Sequence, residues 1–291
     1  MQQAKEAVEN TVLSVGVDWL TCTTLHKKSS KKIMALAEDC MTGQQRLGNE
    51  VRGWGMSGFD GLACGQIQAG TRCGEALIRL TGEYAASNWR RFYSLADNVS
   101  RIDLQVTIDT HQKASTVVAK HYGQAARARK KSGRFPKVWE CRDSDGPATL
   151  YFGKRVSDLF ARVYDKFGQA GDAWPPGSVR YELQCNRRQA IVAASRIYES
   201  KSELPAINHR VWSYFNEHAL RPLWPSVGWV NYSCPRRRSD LERRLVWLNA
   251  SVRPSVMLLK DAGKLPEVLI ALGLSNESMG QLVQFPQTKT A

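Results

Sequence analysis

An α+β fold is what this sequence predicts: a central, mostly antiparallel sheet covered by helices on one face, with a smaller helical C-terminal region. Three observations predict it. The runs "RIDLQVTID" (101–109), "LFARVYDK" (159–166) and "SVRYELQCN" (178–186) each alternate apolar and polar residues with the period of two that belongs to strands. "ATLYFGKR" and "LFARVYDK" are separated only by "VSD", a spacing that suits a hairpin and therefore antiparallel pairing. The last third loses this alternation and takes up the spacing and end signals of helices.

In chain order, "VLSVGVDWLTCTT" (12–24) is β-rich but only loosely alternating, and reads as a strand. "SSKKIMALAEDCMTGQQRL" opens on Ser caps and predicts a helix from about 31 to 47. Glycine-punctuated segments, "GWGMSGFDGLACG" and "GEALIRLTGEY", predict a hairpin or two. In 101–109, Ile102, Leu104, Val106 and Ile108 share one face, opposite Arg101, Asp103, Gln105, Thr107 and Asp109. A basic helix over about 110–131 follows, with Asp109 as its expected cap. In "LFARVYDK" a helical stripe also fits (Val156, Leu159, Phe160, Val163, Phe167). The strand is preferred because it puts Arg162, Tyr164 and Lys166 on one face. "GQAGDAWPPG" demands a loop. Beyond it, "SDLERRLVWLNA" carries a capping box, Ser239 with Glu242. "RPSVMLLKDAG" and "LPEVLIALGL" place Pro early and Gly late, as short helices do. The reading divides the chain into an α+β body, 1–195, and a mainly helical, basic region, 196–291.

The chain has 291 residues, 43% of them hydrophobic, which suffices for a buried core. No segment approaches the ~18 uninterrupted apolar residues of a membrane helix, and the start lacks the features of a signal peptide, so a cytoplasmic location is expected. Seven scattered cysteines with no CxxC pair argue against a disulfide framework and against a zinc site. Lys and Arg number 41 against 27 Asp and Glu, a formal charge of +14. Such a field attracts polyanions, nucleic acid first among them. The dense runs are "RARKKSGRFPK" (Arg127, Arg129, Lys130, Lys131 among them) and "RRRSDLERR" (Arg236, Arg237, Arg238 at its head). These are the expected DNA contacts.

The three strands pair each chemistry-bearing residue with an arginine two positions away: Arg101–Asp103, Arg162–Tyr164 and Arg180–Glu182. If the strands are neighbours, these groups converge on one patch. Two carboxylates there can hold Mg²⁺ or Mn²⁺ through oxygen. A tyrosine, a poor nucleophile at its ordinary pKa of ~10, needs cationic neighbours to attack phosphate. The residues alone fit equally well a second reading, in which the pairs are structural ion pairs and Tyr164 is half-buried packing.

The same segments, "RIDLQVTID", "YFGKRVSDLFARVYDK" and "RYELQCNRRQA", in that order, resemble the replication initiation factor family. "VGVDWLTCT", "GFDG", "LTGEY" and "LERRLVWLNASVRPSVMLLKDAG" support the resemblance, which spans roughly residues 14–270. The family includes initiators of rolling-circle plasmids, filamentous-phage replication proteins and relaxases of some integrative elements. Its members nick one DNA strand and join its 5′ end through a tyrosine, leaving a 3′-OH primer. The resemblance implies Tyr164 as nucleophile from the R-x-Y-[DN]-K motif, with Tyr151 in "LYFGKR" as the competitor. Lys166 and Arg162 would stabilise charge. It implies Asp103 (R-x-D) and Glu182 (R-x-E) as ligands of a divalent metal, Mg²⁺ or Mn²⁺. Its five isolated histidines offer no His-hydrophobe-His clamp. The implied partners are origin DNA, single-stranded or cruciform at the nick site, and a host helicase; a homodimer is compatible with the reading.

Other function classes remain in view. A relaxase of an integrative element shares the chemistry, and a non-catalytic DNA-binding regulator would keep the basic surface without needing Tyr164. A tyrosine recombinase or topoisomerase fits poorly, since after Tyr214 the chain holds only one further tyrosine, Tyr232, as a candidate C-terminal nucleophile.

Overall fold

The computed structural model describes residues 10–41, 45–47, 54–60, 65–132, 138–141, 148–218, 220–232, 248, 253–264 and 266–267. Two compact units divide it, 1–234 and 235–291.

Ten strands of the first unit form one sheet: β1 (Thr11–Thr24), β2 (Gln45–Leu47), β3 (Gly55–Asp60), β4 (Gln66–Arg72), β5 (Glu75–Thr81), β6 (Asn98–Asp109), β7 (Val138–Cys141), β8 (Thr149–Phe152), β9 (Leu159–Asp165) and β10 (Ser178–Asn186). Their spatial order is β2-β3-β4-β5-β1-β6-β10-β9-β8-β7, and every pairing is antiparallel. The expected α+β sheet is thus observed, and β6, β10 and β9, the three alternating runs, are consecutive in it. The β8–β9 hairpin is the one that "VSD" predicts.

The helices are α1 (Lys27–Cys40), α2 (Gly82–Tyr93), α3 (Ala114–Ser132), α4 (Lys166–Ala170), α5 (Arg187–Glu199), α6 (Glu203–Glu217) and, in the second unit, α7 (Arg253–Asp261). Ile102, Leu104, Val106 and Ile108 are fully buried, as alternation requires of the inner face. They belong to one apolar cluster with Ile33 of α1, Trp89 and Phe92 of α2, Val117 and Val118 of α3, Ala190 and Ile197 of α5, and Ile207 and Phe215 of α6. All five longer helices of the unit therefore cover the same side of the sheet. Each such large side chain contributes roughly 1.5–3 kcal/mol when withdrawn from water. Trp89 Nε1 donates to Glu203 at 2.7 Å and Arg90 pairs with the same carboxylate at 2.9 Å, tying α2 to α6.

Several expectations are corrected. The first helix runs from Lys27 to Cys40, and residues 45–47 begin a strand instead of its last turn. "GEYAASNWRRFY" forms α2, where Gly82 takes a left-handed backbone (φ 58°) and Trp89 and Phe92 face inward. The loop after β9 contains α4 and a short 3₁₀ turn, Gly171–Ala173. The first unit extends to Cys234, past the expected boundary at 195/196, which falls inside α5. The reason is α6, whose Ile207, Val211 and Phe215 complete the core beneath β6 and β10. In the second unit α7 ends as "RPSVMLLKDAG" predicts, with Gly263 in the left-handed region (φ 71°) and Lys264 N donating to Leu259 O at 2.8 Å. The capping box at Ser239 and Glu242 and most of "LPEVLIALGL" lie outside the described residues. Among the described residues Cys22, Cys40, Cys73 and Cys185 are free thiols, and no helix is long and apolar enough to cross a membrane.

Candidate active site

The outer face of the sheet, opposite the five helices, collects the polar residues of β6, β10 and β9. Antiparallel partners directly opposite each other share a face, so the register assigns the neighbours. Gln105 stands opposite Glu182, which stands opposite Arg162, and Arg162 stands opposite Tyr151. One row along, Thr107, Arg180, Tyr164 and Thr149 stand in line. Asp103 is the diagonal neighbour of Glu182, which implies a backbone separation of about 7–8 Å.

Glu182 is the hub. It is only 2% exposed, and its two oxygens serve different partners. Arg162 Nε donates to Oε2, and the Tyr164 hydroxyl donates to Oε1 at 2.5 Å. Tyr164 itself is 5% exposed. Burial raises its pKa well above the ordinary phenol value, and the Glu182 charge adds to this, while Arg180 and Arg162 pull in the opposite direction. The cationic neighbours therefore act to lower this pKa, but burial and Glu182 prevail.

Asp103 receives a two-pronged contact from Arg101, Nε to Oδ1 at 2.8 Å and Nη2 to Oδ2 at 2.5 Å. Burial nonetheless pushes its pKa up to about 6, against the pull of Arg101. Arg180 donates from Nε to Thr107 Oγ1 at 2.8 Å and lies over the Trp174 ring at 5.2 Å from its centroid. The segment after β9 therefore folds back on to the polar face. Lys166 is part of that segment. It is the first residue of α4 and not the last of the strand, a correction that follows from Asp165, whose carboxylate accepts from Gly168 N at 2.8 Å and starts the helix. Lys166 still borders the cluster, since burial lowers its pKa and the charge of Arg180 lowers it further. Asp109 does not cap α3. It accepts from His111 N at 2.9 Å, two residues on, and the helix begins at Ala114.

Asp18 is the site residue that alternation does not reveal. The β1–β6 register shifts between Val17 and Trp19, leaving Asp18 as the extra residue of a bulge. The bulge turns its carboxylate toward Arg180, 3.5 Å away. Burial raises its pKa, and the charge of Glu182 raises it further. The signal available beforehand was the loose alternation of "VLSVGVDWLTCTT", which is what an interrupted register looks like in sequence.

Tyr151 is half-buried on the same face, its ring stacked with Phe160 at 5.8 Å between centroids. Among the expected DNA contacts, Arg127 is exposed on α3, on the helical side of the sheet and away from this cluster. The side chains of Arg129, Lys130 and Lys131, and all of Arg236, Arg237 and Arg238, lie outside the described residues.

A buried tyrosine, two or three carboxylates and several arginines gathered on one sheet face make a set of parts suited to phosphodiester chemistry. Residues 97–271, more than half of the chain, match the profile of the replication initiation factor family, and this segment contains every site residue just described except Asp18. The chain belongs to the replication initiation factor family. Membership implies DNA binding. The fold is also similar to the rolling circle replication initiator protein from Geobacillus stearothermophilus, at a TM-score of 0.51 and 20% identity, covering 79% of this chain and 91% of that one. A di-domain ARO/CYC protein, StfQ, of the steffimycin biosynthetic pathway aligns at a TM-score of 0.18 and 12% identity over 70% of this chain and 95% of that one, too low to bear on the fold. No curated protein matches the chain.

Carboxylate oxygens are the donors that Mg²⁺ and Mn²⁺ prefer, and Asp103, Glu182 and Asp18 supply them. Among the described residues no group of three His, Cys, Asp or Glu lies close enough to hold an ion by protein donors alone. The set fits a cation bound by one or two carboxylates, with water and substrate phosphate completing its shell.

Proposed function

We propose that this chain is a rolling-circle replication initiator that nicks one strand of origin DNA with Tyr164, remains joined to the 5′ end and frees a 3′-OH primer. The observation that carries the reading is the Tyr164–Glu182 hydrogen bond, 2.5 Å long, among paired arginines and carboxylates. A phenol with a raised pKa does not wait as phenolate, so its proton must leave as the new bond forms. Glu182 is placed to take it. The Tyr164 oxygen bonds to phosphorus, the phenolic proton passes to Glu182, and the bond from phosphorus to the 3′ oxygen breaks. That oxygen leaves as the 3′-OH by taking a proton from water. Arg162, Arg180 and Lys166 offset the charge that builds on the phosphate. The phosphotyrosine bond conserves energy, so the reverse sequence reseals the strand. Asp103 and Glu182, with Asp18 as a further donor, would hold Mg²⁺ or Mn²⁺. When bound, the ion would supply Lewis-acid polarisation of a non-bridging phosphate oxygen. In this reading residues 1–234 carry the chemistry, and the basic segment from 235 adds DNA contacts.

A second reading has its own observation. Tyr151 stands directly opposite Arg162 on the same face and is more exposed than Tyr164, so it reaches an incoming phosphate with less rearrangement. The test is covalent adduct formation on supercoiled origin DNA, with Mg²⁺, Mn²⁺ or chelator. Tyr164→Phe is expected to abolish the adduct while DNA binding persists. An adduct that survives this change and is lost in Tyr151→Phe gives the nucleophile to Tyr151. An adduct absent from the unaltered chain under every condition leaves a non-catalytic DNA-binding regulator. A relaxase of an integrative element would show the same adduct and differ in the origin it cuts.

A further inference from the structure

Residues 10–96 lie outside the segment that the family profile matches, yet β1, β5 and β4 continue the face that bears the Tyr164 cluster. Arg101, Thr21, Arg79 and Gln68 stand opposite one another in a single row across β6, β1, β5 and β4. Trp19 projects from β1 between the two arginines. The Arg101 guanidinium lies 4.0 Å from its ring centroid and that of Arg79 5.7 Å.

These two cations are not equally neutralised. Arg101 grips both oxygens of Asp103. Among the described residues Arg79 has no carboxylate partner. Its Nη1 donates to Gln68 Oε1 at 3.0 Å, and among the described residues its buried Nε has no partner. Burial lowers the pKa of Arg79, and the charge of Arg101 lowers it further, so the fold holds a cation where it is disfavoured. An anion arriving there would relieve both conditions. The basic helix α3 is on the far side of the sheet and cannot supply that contact to a strand lying on this face.

We propose that Trp19 and Arg79 form a nucleotide subsite for the unpaired DNA strand on its way to the nick site, with Arg79 turning to a backbone phosphate and so leaving its side of the indole as the plane on which a base stacks. The site requires an unpaired strand because a base inside a duplex has no free ring face to offer. Four strand spacings of about 4.8 Å separate β5 from β9, so this nucleotide lies several positions along the strand from the one at Tyr164. The inference deepens the proposed function and takes from it the position of the nick, but binding can be measured without any chemistry.

The experiment uses the full chain in chelator, with a fluorescein-labelled oligo-dT of about 20 nucleotides and a hairpin duplex of equal length, and reads anisotropy across a salt series. Each phosphate contact to a single strand contributes about 0.7 to the slope of log K against log salt. Arg79→Gln is expected to lower that slope by about 0.7 and to weaken oligo-dT binding roughly tenfold at low salt. Arg79→Lys, which keeps the charge, should restore the slope, and Trp19→Leu should weaken binding without changing it. Thermal melting checks that each variant is folded. An unchanged slope in Arg79→Gln overturns the subsite, as does an equal loss in Arg79→Lys, which would make Arg79 a structural residue. An equal loss on the duplex would overturn the assignment to an unpaired strand. If the slope falls as expected while the unaltered chain forms no tyrosyl adduct, the subsite stands and the nicking reading fails.

Discussion

Asp103 shows how one residue can be stabilised by a partner and still be disfavoured by its surroundings. Its carboxylate is held by Arg101, yet burial sets its pKa at about 6 in the folded chain, against about 3.9 when unfolded. Between those values the folded state keeps a proton that the unfolded state has lost. The contribution of Asp103 to stability is therefore greatest below about pH 4 and is lost as pH rises through about 6, a change of roughly 2–3 kcal/mol. Urea midpoints of the unaltered chain and Asp103→Asn in chelator, from pH 4 to 7, check this. The decline should be shallower in the variant, and identical profiles would assign it elsewhere. At Tyr164 the expectation is different. Removing the hydroxyl deletes one hydrogen bond and hardly any volume, so Tyr164→Phe should cost about 1 kcal/mol of stability, set against complete loss of the adduct. A large loss of stability would mean that the Tyr164–Glu182 pair exists mainly to hold β9 against β10.

Among the elements, the junction of β6 and β10 positions the site most directly, because it aligns Thr107 with Arg180 and Gln105 with Glu182. The end of β6 and the start of β10 are locked together by Thr110, which donates to Gly177 O from both its backbone N (3.1 Å) and its hydroxyl (2.9 Å). A side chain at Gly177 has no room. A Cβ there would run into the Asp109 carboxylate and lie 3.0 Å from His111 N. Gly177→Ala should destabilise the protein by about 1–3 kcal/mol, read as a lower urea midpoint with an unchanged slope. A midpoint equal to that of the unaltered chain would show that the turn yields easily. Behind the same strands, Tyr181 of β10 shares a 2.6 Å hydrogen bond with His121 of α3, and both are buried. Burial lowers the His121 pKa, so this histidine fastens helix to sheet in its neutral form. Alternation identified β6, β9 and β10 correctly because each is regular over its length. It read β1 only loosely because three register shifts interrupt it, and one of them produces Asp18.

For the first unit as a whole, the decisive feature is that one sheet face is covered by helices and the other carries the polar cluster of Asp103, Tyr164 and Glu182. The covering is completed by α6, so the first unit needs residues up to Cys234. A chain ending at 234 should melt cooperatively, whereas one ending at 195 should expose the surface that Ile207, Val211 and Phe215 cover and should aggregate. Circular dichroism melts of the two truncations test this. Cooperative folding of the shorter one would restore the boundary expected from sequence. The 1–234 chain should also bind DNA more weakly and with a smaller salt slope than the full chain, because it lacks Arg236, Arg237 and Arg238.

The sequence by itself determined the fold class, the three alternating strands with their polar faces and the Arg101–Asp103 pair. These depend on period and neighbour identity, which a chain carries locally. It also determined the family, since the motifs at Asp103, Tyr164 and Glu182 are short and contiguous. Tertiary structure alone decided what those residues do to one another. That Glu182 joins Tyr164 to Arg162, that Asp18 enters the cluster through a bulge, that Lys166 starts a helix beside it, and that Arg79 lacks a carboxylate partner among the described residues all depend on strand order and register. A register shift of one residue turns a side chain to the other face without changing composition. Burial acts in the same way. It raises the pKa of Tyr164 and of Asp103 through the absence of water around them, and exclusion of water is a property of the packed molecule that no local segment possesses.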